Sequence, residues 1–243
     1  KYILSEKEMR EHWIKQRVEE NTTLRKKFKN DPQGLKKAEK LLEYETGRQF
    51  WKSNEICMRH AEGIRSNTPV LAKLWYFWTN HFTISDTQSL ASFSTGAYQR
   101  EFIRANMDKK FETMAIEATI AWPMMMHLDN KDNVGPKSIS GKSEWRRKER
   151  KPATINENHA RELLELHTVS PKAAYTQDDI IELAKIMTGW RPKWTKNKDH
   201  GHNVSFDTER HEPGKKTVFG KTYKRGKKSL EIAIKDLANH PSC

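Results

Sequence analysis

Apolar side chains recur every three or four residues along most of the chain, the spacing typical of amphipathic helices. A Ser-Glu-Lys-Glu capping box at residues 5–8 predicts a first helix that runs to about Glu20. Asp31 followed by Pro32 predicts a second helix start, and Gly47 interrupts the amphipathic stretch behind it. The residues of that stretch expected in the core are Leu35, Leu41, Leu42, Phe50, Trp51, Ile56 and Met58.

The segment of residues 69–82 contains four consecutive aromatic residues at 75–78, so that it is apolar nearly all round. We therefore predict a deeply buried helix there, with His81 on its core face. The polar residues 84–95 are expected to form a surface loop. Further helices are predicted over 96–106, 107–122, 178–188 and 228–239, with a break at Pro123 and three methionines behind it as core filler.

Residues 190–223 differ in composition, being rich in Gly, Pro, His and Lys. Two β-type runs at 204–206 and 217–219 flank a turn at 210–214, which predicts a small β-hairpin. The expected fold is therefore mainly α, one multi-helix domain over residues 1–243 with a small β-hairpin insertion near 204–221.

The most unusual stretch is residues 156–168, in which ionisable and amide side chains alternate with leucines at helical spacing. Asn156 is the predicted N-cap of this central helix. Asn158, Glu162 and Glu165 share one helical face, whereas His167 lies on the apolar side. So many hydrogen-bonding groups beside an apolar stripe need partners from elsewhere, which indicates either a functional centre or a polar lock.

Charge spacing on the same helix suggests how the lock would be built. Glu157 stands four residues before Arg161 and is expected to pair with it. In the structural interpretation, Arg161 and the two later glutamates join neighbouring elements by buried salt bridges. In the catalytic interpretation, those glutamates meet a histidine from another element, His81 or His211.

This stretch also resembles the signature of a bacterial family known only as a domain of unknown function, number 1800. That family carries Asn-Glu-Asn-aromatic-Ala-Arg-Glu-Leu-Leu-Glu-Leu-His-Thr, and here His159 stands at the aromatic or aliphatic position. It usually has Asp where Glu212 stands. The other matching pieces lie at 77–82, 127–130, 175–177, 188–190 and 210–217, in the same order.

The resemblance covers about residues 69–241 and implies no reaction, because the family has no established activity. It divides the chain into helices of weak match at 1–66 and a family-like core at 67–243. Family members are usually longer, so this chain is expected to be an internal piece of a larger protein. Many members carry export signals and are encoded beside a sulfatase-like family. The resemblance thus implies a periplasmic or extracellular location and another exported protein as partner.

The chain is strongly basic, with a net charge of +13 and a pI near 9.6. Trp145 beside the basic run at 146–151 is a pattern that single-stranded nucleic acid can use. Because acidic residues are interspersed along the chain, we favour solubility over nucleic-acid binding. Two cysteines provide no disulfide framework or zinc spacing, and no apolar run is long enough for a membrane helix.

Three hypotheses follow, and we rank a structural or accessory factor slightly above a metal-assisted hydrolase, with polyanion binding well below both. The pattern assigns no cofactor, metal or oligomeric state, and no nucleophile or dinucleotide motif is present. The catalytic candidates are Glu162, Glu165, His167, His81 and His211. The candidates for a binding or structural polar network are Asn80, Asp129, Asn130, Glu157, Asn158, Arg161, Glu212 and Lys216.

Overall fold

The computed structural model describes residues 3–15, 20–45, 47–85, 91–143, 153–192 and 204–243. The chain divides into two compact units, Lys1–Ala105 and Asn106–Cys243. Both are built mainly from helices, and the strands of the described ranges form two small antiparallel pairs. The predicted fold class, mainly α with a small β component, is therefore confirmed. The organisation as a single domain stays a prediction.

The first unit is helical throughout its described part. Its helices are α1 (Glu6–Lys15), α2 (Asn21–Lys27), α3 (Pro32–Glu45), α4 (Arg48–Arg65), α5 (Pro69–His81) and α6 (Thr95–Tyr98), and α6 continues as a π turn (Gln99–Ile103) and a 3₁₀ turn (Arg104–Asn106). The predicted capping box is confirmed, since Glu8 N–H donates to Ser5 Oγ at 3.2 Å and Ser5 N–H donates to the Glu8 carboxylate at 2.8 Å. Gly34 N–H donates to Asp31 at 2.8 Å, as expected of a cap.

Helix α5 is buried on a different face from the one predicted. Ala72, Trp75 and Thr79 form its buried face, and the Trp75 indole donates to the Gln99 carbonyl at 2.8 Å. The exposed apolar side chains of α5 are Val70, Leu71, Leu74 and Phe77. The prediction of a deeply buried helix is therefore wrong. The side of α5 that packs against the rest of the unit is the one that carries Ala72, Thr79 and the Trp75 indole with its hydrogen bond.

Other burial predictions for the first unit also need correction. Leu41, Ile56 and Met58 were expected in the core and are exposed. Within the predicted surface loop, Ile84 and Phe93 are buried, while residues 86–90 lie outside the described residues. The core instead uses the helical segment behind that loop, whose fully buried members include Ala97, Tyr98 and Ile103.

The second unit packs five helices of its described part with the two strand pairs. The helices are α7 (Phe111–Ile120), α8 (Trp122–His127), α9 (Asn158–Glu162), α10 (Gln177–Met187) and α11 (Lys228–Ala238), and α9 continues as a π turn (Leu163–His167). A break does separate α7 from α8, but it comes at Ala121, two residues earlier than predicted. Trp122 and Pro123 belong to the first turn of α8, where a proline is tolerated. The methionines at 124–126 are buried core residues, as predicted.

The strand pairs differ from the predicted hairpin in their partners. Strand β1 (Trp190–Pro192) pairs with β2 (Val204–Phe206), and β3 (Lys216–Val218) pairs with β4 (Lys221–Tyr223). Both predicted runs thus contain strands, but the prediction that they pair with each other is wrong. The tight turn lies instead at Phe219 and Gly220, whose φ angles of 49° and 71° suit a two-residue hairpin loop.

Within the described ranges, no helix is long and apolar enough to cross a bilayer.

Candidate polar site in the second unit

The residues predicted as site residues lie in several separate places. Asn80 and His81 belong to the first unit, and the remaining candidates belong to the second. In the first unit, the His81 ring packs among aromatic rings, with centroids 4.7 Å from Phe82, 5.5 Å from Trp78 and 6.2 Å from Phe77. His81 is thus an aromatic packing residue within its own unit.

A hydrogen-bonded series of asparagine side chains lies against α10 and β1. The Asn130 amide donates to the carbonyl oxygens of Trp190 at 2.9 Å and Met187 at 3.2 Å. Asn133 donates to Asn130 Oδ1 at 3.1 Å and to the Ala184 carbonyl at 2.9 Å. Both asparagines are buried, so their amides replace water for backbone groups that would otherwise be unpaired. The prediction marked Asn130 but missed Asn133.

The same series of asparagine side chains continues to the start of α9. Asn133 Oδ1 accepts from Asn156 N–H at 3.1 Å, and Asn156 donates to the Asp129 carbonyl at 3.1 Å. Asn156 Oδ1 also accepts from the N–H of Asn158, the first residue of α9, at 3.0 Å. The N-cap position is nevertheless Glu157, so the prediction of Asn156 as N-cap is wrong by one residue. Asp129 itself has a φ of 55°, a left-handed turn conformation that closes α8. The four asparagines together hold the turn after α8 against α9 and α10.

The charged face of the central helix forms a network at the surface. Arg161 pairs with Glu157 at 3.1 Å, as predicted, and with Glu165 at 3.2 Å. It also donates to Gln177 of α10 at 3.0 Å, which ties the two helices together. Because the three charged side chains are about one third exposed, these pairs are screened by water rather than buried. Burial and the nearby Glu165 raise the pKa of Glu162 above its ordinary value.

Histidines converge on the apolar side of α9. His159 is fully buried and His167 nearly so. Burial, and then the positive charges that His167 and His127 can carry, lower the pKa of His159 to about 3. Neither ring nitrogen of His159 has a hydrogen-bond partner in the described part of the chain. His159 is not among the predicted site residues, although its departure from the family pattern was a signal in the sequence that could have identified it.

These side chains do not form a metal site. Among the described residues, no group of three or more His, Cys, Asp or Glu side chains is placed to hold a metal ion.

His211 is buried in a second polar cluster, at the end of α10. Its Nδ1 lies 2.7 Å from the Thr188 carbonyl oxygen, which can only accept, so Nδ1 carries the proton. Its Nε2 accepts from Gly226 N–H at 3.3 Å and faces Lys216 Nζ at 3.3 Å. Burial lowers the pKa of His211 to about 4, and the charge of Lys216 acts in the same direction. The ring is therefore a neutral hydrogen-bonding link.

Lys216 and Glu212 complete this cluster. Lys216 is 1 % exposed and donates to the Gly214 carbonyl at 3.0 Å and to the Glu212 carbonyl. Burial lowers the pKa of the Lys216 ammonium to about 8, although the Glu212 charge opposes that shift. The Glu212 carboxylate accepts from Lys137 N–H at 2.9 Å, and its own N–H donates to Thr188 Oγ1 at 2.8 Å. The cluster thus joins α10, β3 and the loop at 135–137.

A cavity of about 380 Å³ lies in the first unit and is lined by Asn80 among the predicted residues. Lys52, Glu55 and Arg59 of α4 also line it, and the prediction missed them. Their spacing of three and then four residues places them on one helical face, which was the available signal.

The basic run predicted to bind polyanions, residues 146–151 with Trp145, lies outside the described residues.

Comparison with known proteins supports the family resemblance. A family model described as "Protein of unknown function (DUF1800)" matches residues 5–243. Neither the curated proteins nor the solved structures contain a match.

Proposed function

The chain belongs to the DUF1800 family of proteins of unknown function, and we propose that it is a structural or accessory factor that binds another protein. The docking face in this proposal is the apolar stripe of α5, formed by Val70, Leu71, Leu74 and Phe77.

The observation that carries the proposal is the exposure of this stripe. Val70 is 69 % exposed, Phe77 56 %, Leu71 54 % and Leu74 44 %. The spacing i, i+1, i+4, i+7 places them along one side of the helix. Single exposed apolar side chains are common on protein surfaces. A continuous stripe of them along a helix is typical of a protein-docking face, because its burial against a partner is favourable.

The polar clusters of the second unit support the same proposal. Asn130 and His211 have hydrogen-bond partners within the unit that lie 60 and 23 residues away in sequence, and Lys216 donates to the nearby Gly214 carbonyl. Groups held in this way position the backbone, and His211, with its pKa lowered to about 4, does not change its protonation state near neutral pH. We therefore interpret the polar signature as a scaffold for the fold.

The partner that we propose is another exported protein, and the location is the periplasm or the extracellular space. This part of the proposal comes from the family resemblance. Members of that family often carry export signals and are often encoded beside a sulfatase-like family.

Affinity capture from envelope extracts with quantitative mass spectrometry would test the docking face. We expect the wild-type chain to retain a stoichiometric protein partner, and Leu74→Glu together with Phe77→Glu to lose at least about tenfold in retention, since a charge placed in an apolar contact must be desolvated. Size-exclusion chromatography with light scattering would show whether a second copy of the chain is the partner.

The control is Gln33→Glu, which adds a negative charge at an exposed position on α3. It should leave retention unchanged. Equal retention by the α5 variant would refute the docking face. Hydrolysis of a chromogenic ester or phosphate that Glu162→Gln abolishes in a folded variant would instead favour the enzyme hypothesis.

A further inference from the structure

We propose that the cavity of the first unit is a binding site for a small carboxylate with an apolar body, anchored by Arg59. This site is separate from the α5 docking stripe, and it does not depend on the proposed partner.

Arg59 is held in place as a preformed anion anchor. Its guanidinium carbon lies 4.9 Å from the centroid of the Tyr76 ring, and its Nη2 donates to Thr79 Oγ1 at 3.1 Å. The Tyr76 hydroxyl donates to the Arg59 carbonyl, which holds the ring beneath the guanidinium. No carboxylate of the described residues pairs with Arg59, so its remaining N–H groups can form the two parallel hydrogen bonds that a carboxylate accepts.

The charge of the lining favours a monoanion. Glu55 lines the cavity, but Arg100 pairs with it, so its negative charge is compensated. Gly96 leaves no room for a Cβ beside the Glu55 carboxylate, so the tight packing there also keeps this carboxylate in place. Arg59 therefore gives the lining a positive group with which one carboxylate of a ligand can pair.

The rest of the lining suits an amphipathic ligand. Ile84 and Phe93 are buried apolar residues of the wall, while Asn80 and Thr95 add amide and hydroxyl groups. A volume of about 380 Å³ falls within the range of small-molecule sites. An apolar wall with one cationic anchor and a few polar groups matches a carboxylate carried on a short hydrocarbon or aromatic body.

Isothermal titration calorimetry of the full chain with 3-phenylpropanoate would test this site. The neutral analogue 3-phenylpropan-1-ol and inorganic phosphate serve as comparison ligands. We expect the carboxylate to bind at least about tenfold more tightly than the alcohol, the effect of one charge-assisted hydrogen-bonded pair.

Two variants connect the binding to the cavity. Arg59→Gln should weaken carboxylate binding by at least about tenfold, whereas Arg65→Gln on the same helix should not change it. Asn80→Asp places a negative charge on an exposed wall residue and should weaken binding about fivefold or more through repulsion. Asn67→Asp, which adds the same charge outside the lining, should have no effect. If Arg59→Gln does not fold, Asn80→Asp alone tests whether the carboxylate binds in this cavity.

Four results would overturn the proposal. These are that the wild-type chain binds no carboxylate, that the alcohol binds as tightly as the carboxylate, that phosphate binds more tightly, or that both cavity variants retain the wild-type affinity.

Discussion

Each of the two units contains a side chain whose location contradicts its residue type. In the unit of residues 106–243, Lys216 is 1 % exposed and donates to backbone carbonyl groups. In the unit of residues 1–105, Val70 is 69 % exposed although it stands in the strongly apolar helix α5. Residue type alone is therefore a poor guide to location here. Polar residues that were predicted as site residues, such as Lys216, hydrogen-bond within the fold. The apolar stripe of α5, which was expected in the core, lies on the surface.

The difference has one physical cause. Burying a polar group is tolerated when a partner satisfies it, and such partners come from segments far away in sequence, as with Asn130 and the Trp190 carbonyl. A helix that is apolar on all sides, such as α5, can bury any face. Its orientation is therefore decided by shape and by one hydrogen bond from Trp75.

The largest expected effect tests the sidedness of the first unit with two phenylalanines. Phe82 is fully buried, so Phe82→Ala should lower the free energy of unfolding by about 3–5 kcal/mol. Phe77 is 56 % exposed, and Phe77→Ala should cost less than about 1 kcal/mol. Urea unfolding followed by far-UV circular dichroism measures both. Equal losses would mean that α5 packs on the predicted face after all.

The second comparison separates two members of the predicted polar network. Asn130→Ala removes the donor to two buried carbonyls, and because each such group costs roughly 1–3 kcal/mol, we expect a loss of about 2–4 kcal/mol in unfolding free energy. Asn158→Ala removes one bond of 3.4 Å from an exposed side chain and should cost less than about 1 kcal/mol. Similar midpoints for the two variants would contradict the asparagine series as a structural support.

His159 differs from Asn130 and Lys216 because it is buried without a hydrogen-bond partner among the described residues. His159→Phe replaces it by the aromatic type that the family usually carries. Removing a buried unsatisfied polar group should raise the unfolding free energy by about 1–3 kcal/mol. His60→Phe, at an exposed position of α4, is the control and should not stabilise the chain. A loss of stability in His159→Phe would show that the imidazole has a role that these contacts do not reveal.

The same histidine predicts how stability depends on pH. Its pKa is about 3 in the folded chain against 6.5 as the ordinary value, so between those values the unfolded state binds more protons. Stability from neutral His159 is thus fully present above pH 6.5 and is lost as the pH falls towards 3. The slope from one proton is at most about 1.4 kcal/mol per pH unit. Unfolding midpoints at pH 7.0, 6.0 and 5.0 should therefore fall more steeply for the wild-type chain than for His159→Phe. Parallel slopes would argue against a buried neutral ring.

The smallest expected effect concerns the surface network of the central helix. Arg161→Gln should cost less than about 1 kcal/mol, because its ion pairs are one third exposed and screened by solvent. The difference between this variant and the wild-type chain should shrink further in 1 M NaCl, where the screening length is only about 3 Å. A loss above about 3 kcal/mol, insensitive to salt, would restore the hypothesis of a buried salt-bridge lock.

Much of the fold could be predicted because its signals are local. The capping box at Ser5 joins groups three residues apart and forms as expected, and a second box with the same spacing forms at Thr176. The break before Pro123 follows from the geometry of a single residue type. The π turn at the end of α9 was not predicted, since a fifth residue added to a turn leaves no distinct pattern in the amino-acid sequence.

Less of the candidate sites could be predicted. The pairing of Glu157 with Arg161 was correct because both stand on one helix. The binding of His211 by Thr188 spans 23 residues, and the strand partners of 204–206 and 216–218 depend on turns that the composition alone does not rank. The cavity around Arg59 needs α4 and α5 together, and no motif marks it.

By itself, the sequence determined the family, the helical class, most helix starts and the presence of strands near 204–221. These properties depend on backbone propensity and on interactions within a few residues. The tertiary structure alone decided which face of α5 is buried, which strands pair and which polar residues are locked in place. Each of those outcomes requires a partner from a distant segment, because a buried hydrogen bond or a packed face is stable only when both sides are present.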